Sequence, residues 1–461
     1  MDLNVVAIVL AAGRAARFGA PKLSARLDGK PVLQHVLDAA ADAGVGRVIV
    51  VTAPEPPQGV EWGTARLIVN SRPDRGLSSS VQVGWRAARE EGAAAALVLL
   101  GDQPLVRADV IRAVVAAPFD PARPIVAIRY SGSGAPNPVR IETAAASLIE
   151  TELGGDRGLG PLLAAHPELV RHVDVEGDNP DVDTAADLAP VATRAWEARV
   201  RGNRDQVQRF REVPDGSDFY ASVSSIFRDD PDRTGDAVLD ALRLRARATE
   251  TWLDIGAGAG RYALALARSV REVIALDPSA SMIGALRESM AEHGIPNIRI
   301  EEGRWPEVSG SLPDVDVSLI AHVGYDVQTI GPFLDAMERV TRRVCLALLM
   351  ERSPAMLAEP FWIELHGEPR ISLPALPALT DLLAARGSTP SVEILESSRR
   401  TWTSRDEVEA FVRRQTWVAP GSAKDHRLQQ LLEAWVVPAD GGVALSVAEP
   451  LRVGLVEWSP G

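Results

Sequence analysis

Twice in this chain a strand-like apolar run ends in a glycine-rich turn, and that pair of turns limits the possible fold more than any other feature. The first run, Val5 to Leu10, leads into Leu10-Ala11-Ala12-Gly13-Arg14, with Arg17 and Lys22 close behind. The second begins at Thr251 and leads into Asp254-Ile255-Gly256-Ala257-Gly258-Ala259-Gly260. A buried strand that turns on small residues into a helix is the usual opening of a parallel α/β sheet. Two such openings in 461 residues point to two domains, because a chain of this length exceeds one ordinary core.

The first turn carries chemistry as well as shape. Small residues let backbone N–H groups approach a polyphosphate, and the following cations neutralise it. Neither the Walker loop nor the G-x-G-x-x-G of dinucleotide binders fits its spacing. Of 49 basic residues only Lys22, Lys30 and Lys424 are lysine, so a lysine at this place argues for a compact point charge. From residue 3 to about 190, apolar runs at Val48–Val51, Leu67–Val69, Leu97–Leu100 and Ile125–Ile128 alternate with helical patterns. Ligands of such sheets sit beyond the carboxyl ends of the strands. After the third run come Gly76, Leu77, Ser78, Ser79 and Ser80, whose amides and hydroxyls suit a base or ribose. After the next comes Gly101-Asp102-Gln103-Pro104, and Asp102 is a natural Mg²⁺ ligand beside phosphate. Asn137-Pro138, the glycine-rich segment around Asp156, and Asp181-Val182-Asp183 follow. Taken singly, each has a plainer explanation as a turn or helix cap.

In this order and spacing, however, they resemble the small-molecule nucleotidyltransferases, and more narrowly the molybdenum cofactor cytidylyltransferases, across nearly all of residues 1–192. The resemblance implies transfer of CMP from CTP to molybdopterin with release of pyrophosphate. It gives Arg17, Lys22 and Asp102 catalytic roles, with Asp102 and Asp183 on Mg²⁺. The nucleotide falls to Leu10, Ala11, Ala12, Gly13, Arg14 and Gly76 to Ser80, and the pterin to Asn137 and Asp156. Asn137 stands where the family often has His, and Ser24 where a second leucine is common. The Leu-Ala-Ala-Gly form resembles the cytosine-selecting branch.

Residues 193–215 read as an arginine-rich linker or connecting helix, and 216–461 as the second domain. There the strand Glu272–Leu276 ends in Asp277, an acid placed to receive a ribose diol after a glycine turn. The segment resembles class I S-adenosylmethionine-dependent methyltransferases. That resemblance gives Asp254, Gly256, Gly258 and Gly260 the methionine end of the cofactor, Asp277 the ribose, and Arg304 with Trp305 the adenine. Arg304 stands where the family often has an acid. His322, Tyr325 and Asp326 follow the next strand, where catalytic groups are often placed. The expected fold is therefore α/β, with two Rossmann-like three-layer domains. The acceptor of the methyl group is open. Open too are another phosphorylated substrate for the first domain, such as a sugar phosphate, and a non-catalytic second domain that senses S-adenosylmethionine or docks a molybdoenzyme or its chaperone.

Composition bounds the partners. A net charge of −13 argues against nucleic acid, whose binding surfaces are usually basic. No apolar run approaches the length of a bilayer span, and no basic leader precedes the first strand, so no membrane partner is expected. The single cysteine, Cys345, lies in an apolar run and fits a reducing compartment. A cytoplasmic location is the expectation.

Overall fold

The central strands of both sheets are those whose sequences are apolar on both faces, as helix-covered parallel strands must be. The computed structural model describes residues 4–13, 17–132, 135–155, 158–214, 228–395 and 400–461. The chain divides into two units, Met1–Ala192 and Thr193–Gly461.

The first unit holds β1 (Val5–Ala11), β2 (Val48–Thr52), β3 (Arg66–Val69), β4 (Ala95–Leu100), β5 (Ile125–Tyr130), β6 (Val139–Glu142) and β7 (Val170–Val175). Their order is β3-β2-β1-β4-β6-β5-β7. Only β6 runs antiparallel to its neighbours. Val6, Ile8, Val81, Trp85 and Val98 pack in one core between the sheet and the helix Leu77–Glu90. Full burial of one such side chain contributes about 1.5–3 kcal/mol. Leu10 pairs with Leu100, so the loops after β1 and β4 leave the sheet side by side. Gly101 donates its N–H to the Leu10 carbonyl at 3.0 Å. A Cβ at Gly101 would lie 2.8 Å from that oxygen, so only glycine allows this approach. It delivers Asp102 to the first loop.

The second unit holds β8 (Thr251–Ile255), β9 (Glu272–Asp277), β10 (Ile298–Glu302), β11 (Val315–Ala321), β12 (Thr341–Met350), β13 (Ser391–Leu395) and β14 (Val453–Trp458). Their order is β10-β9-β8-β11-β12-β14-β13, with β14 antiparallel to both neighbours. A separate cluster of Phe361, Trp402, Phe411, Leu428 and Leu432 forms a second core. Trp362, Trp402 and Trp458 are all buried. Cys345 is buried on β12, and burial pushes its thiol up to about 12.

Residues 193–210 complete the helix Ala185–Phe210. Trp196 and Val200, one turn apart, are buried, and the Trp196 indole donates to the Val327 carbonyl at 2.8 Å. Gln206 donates to the Pro369 carbonyl and accepts from the Ile371 amide. The charged face of this segment gives the sequence its linker-like look, while the apolar pair gives it a seat in the second unit. No described helix is long and apolar enough to cross a membrane.

Candidate active sites

In the first unit, Lys22 stands in a one-turn helix, Lys22–Ser24, just beyond the glycine turn. Its Nζ donates to Asp102 Oδ2 at 2.6 Å and to Asp183 Oδ1 at 3.2 Å. The lysine side chain is only 10% exposed, against 23% for Asp102 and 53% for Asp183. Burial by itself would depress the ammonium, but Asp102 and then Asp183 outweigh it and hold Lys22 above its ordinary range. The backbone completes the arrangement: Val182 donates its N–H to the Asp102 carbonyl at 2.9 Å, fastening the 181–183 segment to the end of β4. Asp187 accepts from the amides of Asp183 and Thr184 and fixes the turn from below.

Two carboxylates facing one ammonium leave a net negative pocket, and Asp181 adds a third acid. Burial, and next the charge of Asp102, push the Asp181 carboxyl up, while a hydrogen bond from Gln103 at 2.9 Å opposes them. The carboxylate oxygens of Asp102 and Asp183 that share the Lys22 ammonium are of the kind a hard divalent cation such as Mg²⁺ takes. Beside them opens a cavity of about 210 Å³, lined by Leu10, Leu100, Asn137, Leu163 and Asp181 among others. It lies at the carboxyl ends of β1 and β4.

Leu10, Ala11 and Ala12 bury their side chains, so what they can offer a ligand is backbone. Gly13 and Arg17 are exposed. Arg14 and Asp156 lie outside the described residues. Gly76, at φ +87°, opens the helix Leu77–Glu90. Asn70 donates to Ser79 Oγ at 2.8 Å and to Ser80 Oγ at 2.9 Å, which ties the end of β3 to that helix. Ser78 Oγ is buried without a partner. Of the three serines, Ser78 therefore has the least committed hydroxyl.

In the second unit, Gly256, Gly258 and Gly260 all have positive φ. A Cβ on Gly256 would meet Val323 at 2.5 Å, and one on Gly260 would meet Leu286 at 2.4 Å. At Gly258 nothing lies closer than 3.9 Å. Packing thus explains the outer two glycines, and open space lies over the middle one. Asp254, at the end of β8, is buried with Oδ1 unpartnered. Burial, and then repulsion from Asp277, push its carboxyl up to about 7. Asp277 accepts from the Gly258 amide at 2.9 Å and the Ser279 amide at 2.8 Å. Trp305 is buried and donates its indole N–H to the Phe333 carbonyl at 3.0 Å, while Arg304 is exposed. His322 follows β11 at φ +58°, and Tyr325 is buried with its oxygen accepting from the Met350 amide at 2.7 Å.

The profile of the MobA-like NTP transferase domain matches residues 7–170. That of the methyltransferase domain matches residues 253–343. The chain joins a nucleotidyltransferase domain to a methyltransferase domain. The bifunctional protein GlmU of Bordetella petrii is 35% identical over 119 residues, which cover 25% of this chain and 26% of that protein. A Methanothermobacter thermautotrophicus protein named for cobalt-precorrin-6B C(15)-methyltransferase (decarboxylating) is 31% identical over 101 residues. These cover 22% of this chain and 53% of that one. The chain thus spans between about a quarter and about half the length of these curated relatives. Among solved structures, a nucleotidyl transferase from Methanothermobacter is 26% identical, covers 41% of this chain and 95% of its own, and has a TM-score of 0.35.

In the nucleotidyltransferase domain, reasoning from sequence passed over Asp181, Gln103 and Asn70 as site residues. The spacing of Asp181 and Asp183 was the available signal, since alternate residues of an extended segment face one way.

Proposed function

We propose that the nucleotidyltransferase domain transfers CMP from CTP to molybdopterin and releases pyrophosphate. The observation that carries the reading is the convergence of Lys22, Asp102 and Asp183 just beyond β4, with the neighbouring Asp181 lining a largely apolar cavity. The Leu10-Ala11-Ala12-Gly13 form supports cytosine as the base. The attacking phosphate monoester is already ionised near neutral pH, so no general base is needed. Catalysis then rests on aligning two anions and neutralising them. Lys22, kept cationic by its two acids, would meet the α-phosphate and the incoming oxygen, and Arg17 the leaving pyrophosphate. Asp102 and Asp183 would hold Mg²⁺, which supplies charge neutralisation at the triphosphate. Leu10 to Gly13 and Gly76 to Ser80 would hold the nucleotide, and Asn137 stands in the cavity wall suited to the pterin. Pyrophosphate release measured with each nucleotide and molybdopterin tests the reading. A strong preference for CTP is expected, and a preference for GTP or UTP overturns the base assignment. The similarity to GlmU proteins favours a second reading, with a sugar phosphate as acceptor. Turnover with a hexose 1-phosphate and none with molybdopterin would establish it.

The methyltransferase domain implies S-adenosylmethionine. The buried Asp254, whose Oδ1 is unpartnered, suits the ammonium of the methionyl group, the open Gly258 suits close backbone approach, and Asp277 suits the ribose hydroxyls. Calorimetry with S-adenosylmethionine and its demethylated product checks this, and Asp277→Ala is expected to weaken both about tenfold or more, the loss of a charged acceptor being worth roughly 1.5–3 kcal/mol. Absence of binding at millimolar ligand would leave the second domain with the shape alone.

A further inference from the structure

Lys22 holds both of the carboxylates that the nucleotidyltransferase reading assigns to Mg²⁺. Its Nζ lies 2.6 Å from Asp102 Oδ2 and 3.2 Å from Asp183 Oδ1, and among the described residues no other cationic side chain pairs with either acid. Backbone bonds set all three residues in place. Ser24 donates its N–H to the Pro21 carbonyl at 3.0 Å and Ala25 to that of Lys22 at 3.1 Å, which closes the turn that carries the lysine. Gly101 is bonded to Leu10 and Val182 to Asp102, while Asp187 accepts from the Asp183 amide. With its side chain only 10% exposed, Lys22 has little access to water. One ammonium between two carboxylates leaves a single net negative charge where the acids alone would carry two. A divalent cation entering alone meets a like charge within hydrogen-bond reach of its own ligands. If it draws the acids away, it leaves a poorly hydrated ammonium without a counterion. Lys22 takes one oxygen of each carboxylate, so the obstacle is charge and not a shortage of donor atoms. An anionic triphosphate removes that obstacle, because its oxygens can receive the ammonium.

We infer that Lys22 is an internal counterion that opposes the entry of free divalent metal and releases Asp102 and Asp183 when a triphosphate arrives, so that metal and nucleotide bind together. The inference rests on the reading of Asp102 and Asp183 as the metal-holding pair, and it adds what controls the ion's entry. Coupling of this kind is reciprocal: the nucleotide raises metal affinity by the factor by which the metal raises nucleotide affinity. The share of that factor carried by Lys22 disappears with its charge.

The test uses the full-length protein with Mn²⁺ in place of Mg²⁺, the free ion being read by electron paramagnetic resonance. Lys22→Met keeps a stem of similar size without the charge, Lys22→Ala is the second variant, and thermal melts check the fold of each. Without nucleotide, both variants should bind Mn²⁺ about tenfold or more tightly than the wild type, even as turnover falls. Adding Asp102→Asn to Lys22→Met should abolish the gain, which separates this site from exposed acids elsewhere on the surface. CTP or GTP, whichever binds, should raise Mn²⁺ affinity more in the wild type than in Lys22→Met. Equal Mn²⁺ affinity in the wild type and the folded variants overturns the counterion role, and so does a gain that survives Asp102→Asn. If the wild type and Asp102→Asn take up equal Mn²⁺ in the presence of the nucleotide, the metal-holding pair itself is overturned, and the counterion role with it.

Discussion

Lys22 keeps its proton throughout the neutral range because two carboxylates more than offset its burial. Its charge is therefore a fixed part of the site, and Lys22→Ala should lower nucleotidyl transfer by roughly a hundredfold or more, about 3 kcal/mol of transition-state stabilisation. Lys22→Arg should recover little of this, since a planar fork fits poorly into a seat only 10% exposed. Steady-state turnover with CTP checks both, and full activity in the arginine variant would contradict the role. Asp254 behaves in the opposite sense. Its folded carboxyl titrates near 7, well above its ordinary range. Between about pH 4 and pH 7 the unfolded chain gives up this proton and the folded chain retains it, so the contribution of Asp254 to stability falls as pH rises. His322, depressed to about 4, contributes stability that grows from pH 4 towards its ordinary value. Asp254→Asn should raise the melting temperature of the methyltransferase domain at pH 7 by a few degrees and leave the rising His322 contribution exposed below it. The same change should cut affinity for S-adenosylhomocysteine, which calorimetry would read.

At the scale of an element, the glycine turn after β8 separates packing from binding. Gly256→Ala and Gly260→Ala place a Cβ 2.5 and 2.4 Å from Val323 and Leu286. Overpacking with a positive φ should cost about 2–3 kcal/mol in thermal or urea unfolding. Gly258→Ala should cost only about 1 kcal/mol, the strain of its φ of +56°, yet lower cofactor affinity more than the other two. If all three variants lose stability equally, the turn is structural only. The helix start at Gly76 teaches a related lesson. Its serines look alike in sequence, but Asn70 claims Ser79 and Ser80 and leaves Ser78 buried without a partner. The tie comes from the end of a neighbouring strand, which no window along the helix contains.

For the whole molecule, the division at Ala192 and Thr193 falls inside the helix Ala185–Phe210. Trp196, Asn203 and Gln206 of that helix are buried against or hydrogen-bonded to residues 327 and 369–371. A fragment 193–461 should therefore fold and bind S-adenosylhomocysteine, while 216–461, lacking these contacts, should melt at least 5 °C lower. Equal melting temperatures would show that the helix adds nothing to this unit.

The sequence by itself determined the α/β class, the two glycine turns and the candidate set of Lys22, Asp102 and Asp183. Those signals are local: apolar runs set strands, small residues set turns, and residues at strand ends are where sheets of this kind expose chemistry. Only the tertiary structure decided that one ammonium faces two carboxylates 80 and 161 residues away, and that Asp254 Oδ1 is buried without a partner at the glycine turn. Strand order, not sequence spacing, sets such distances. Charges brought together by a sheet from remote segments change one another's protonation in ways no single segment carries.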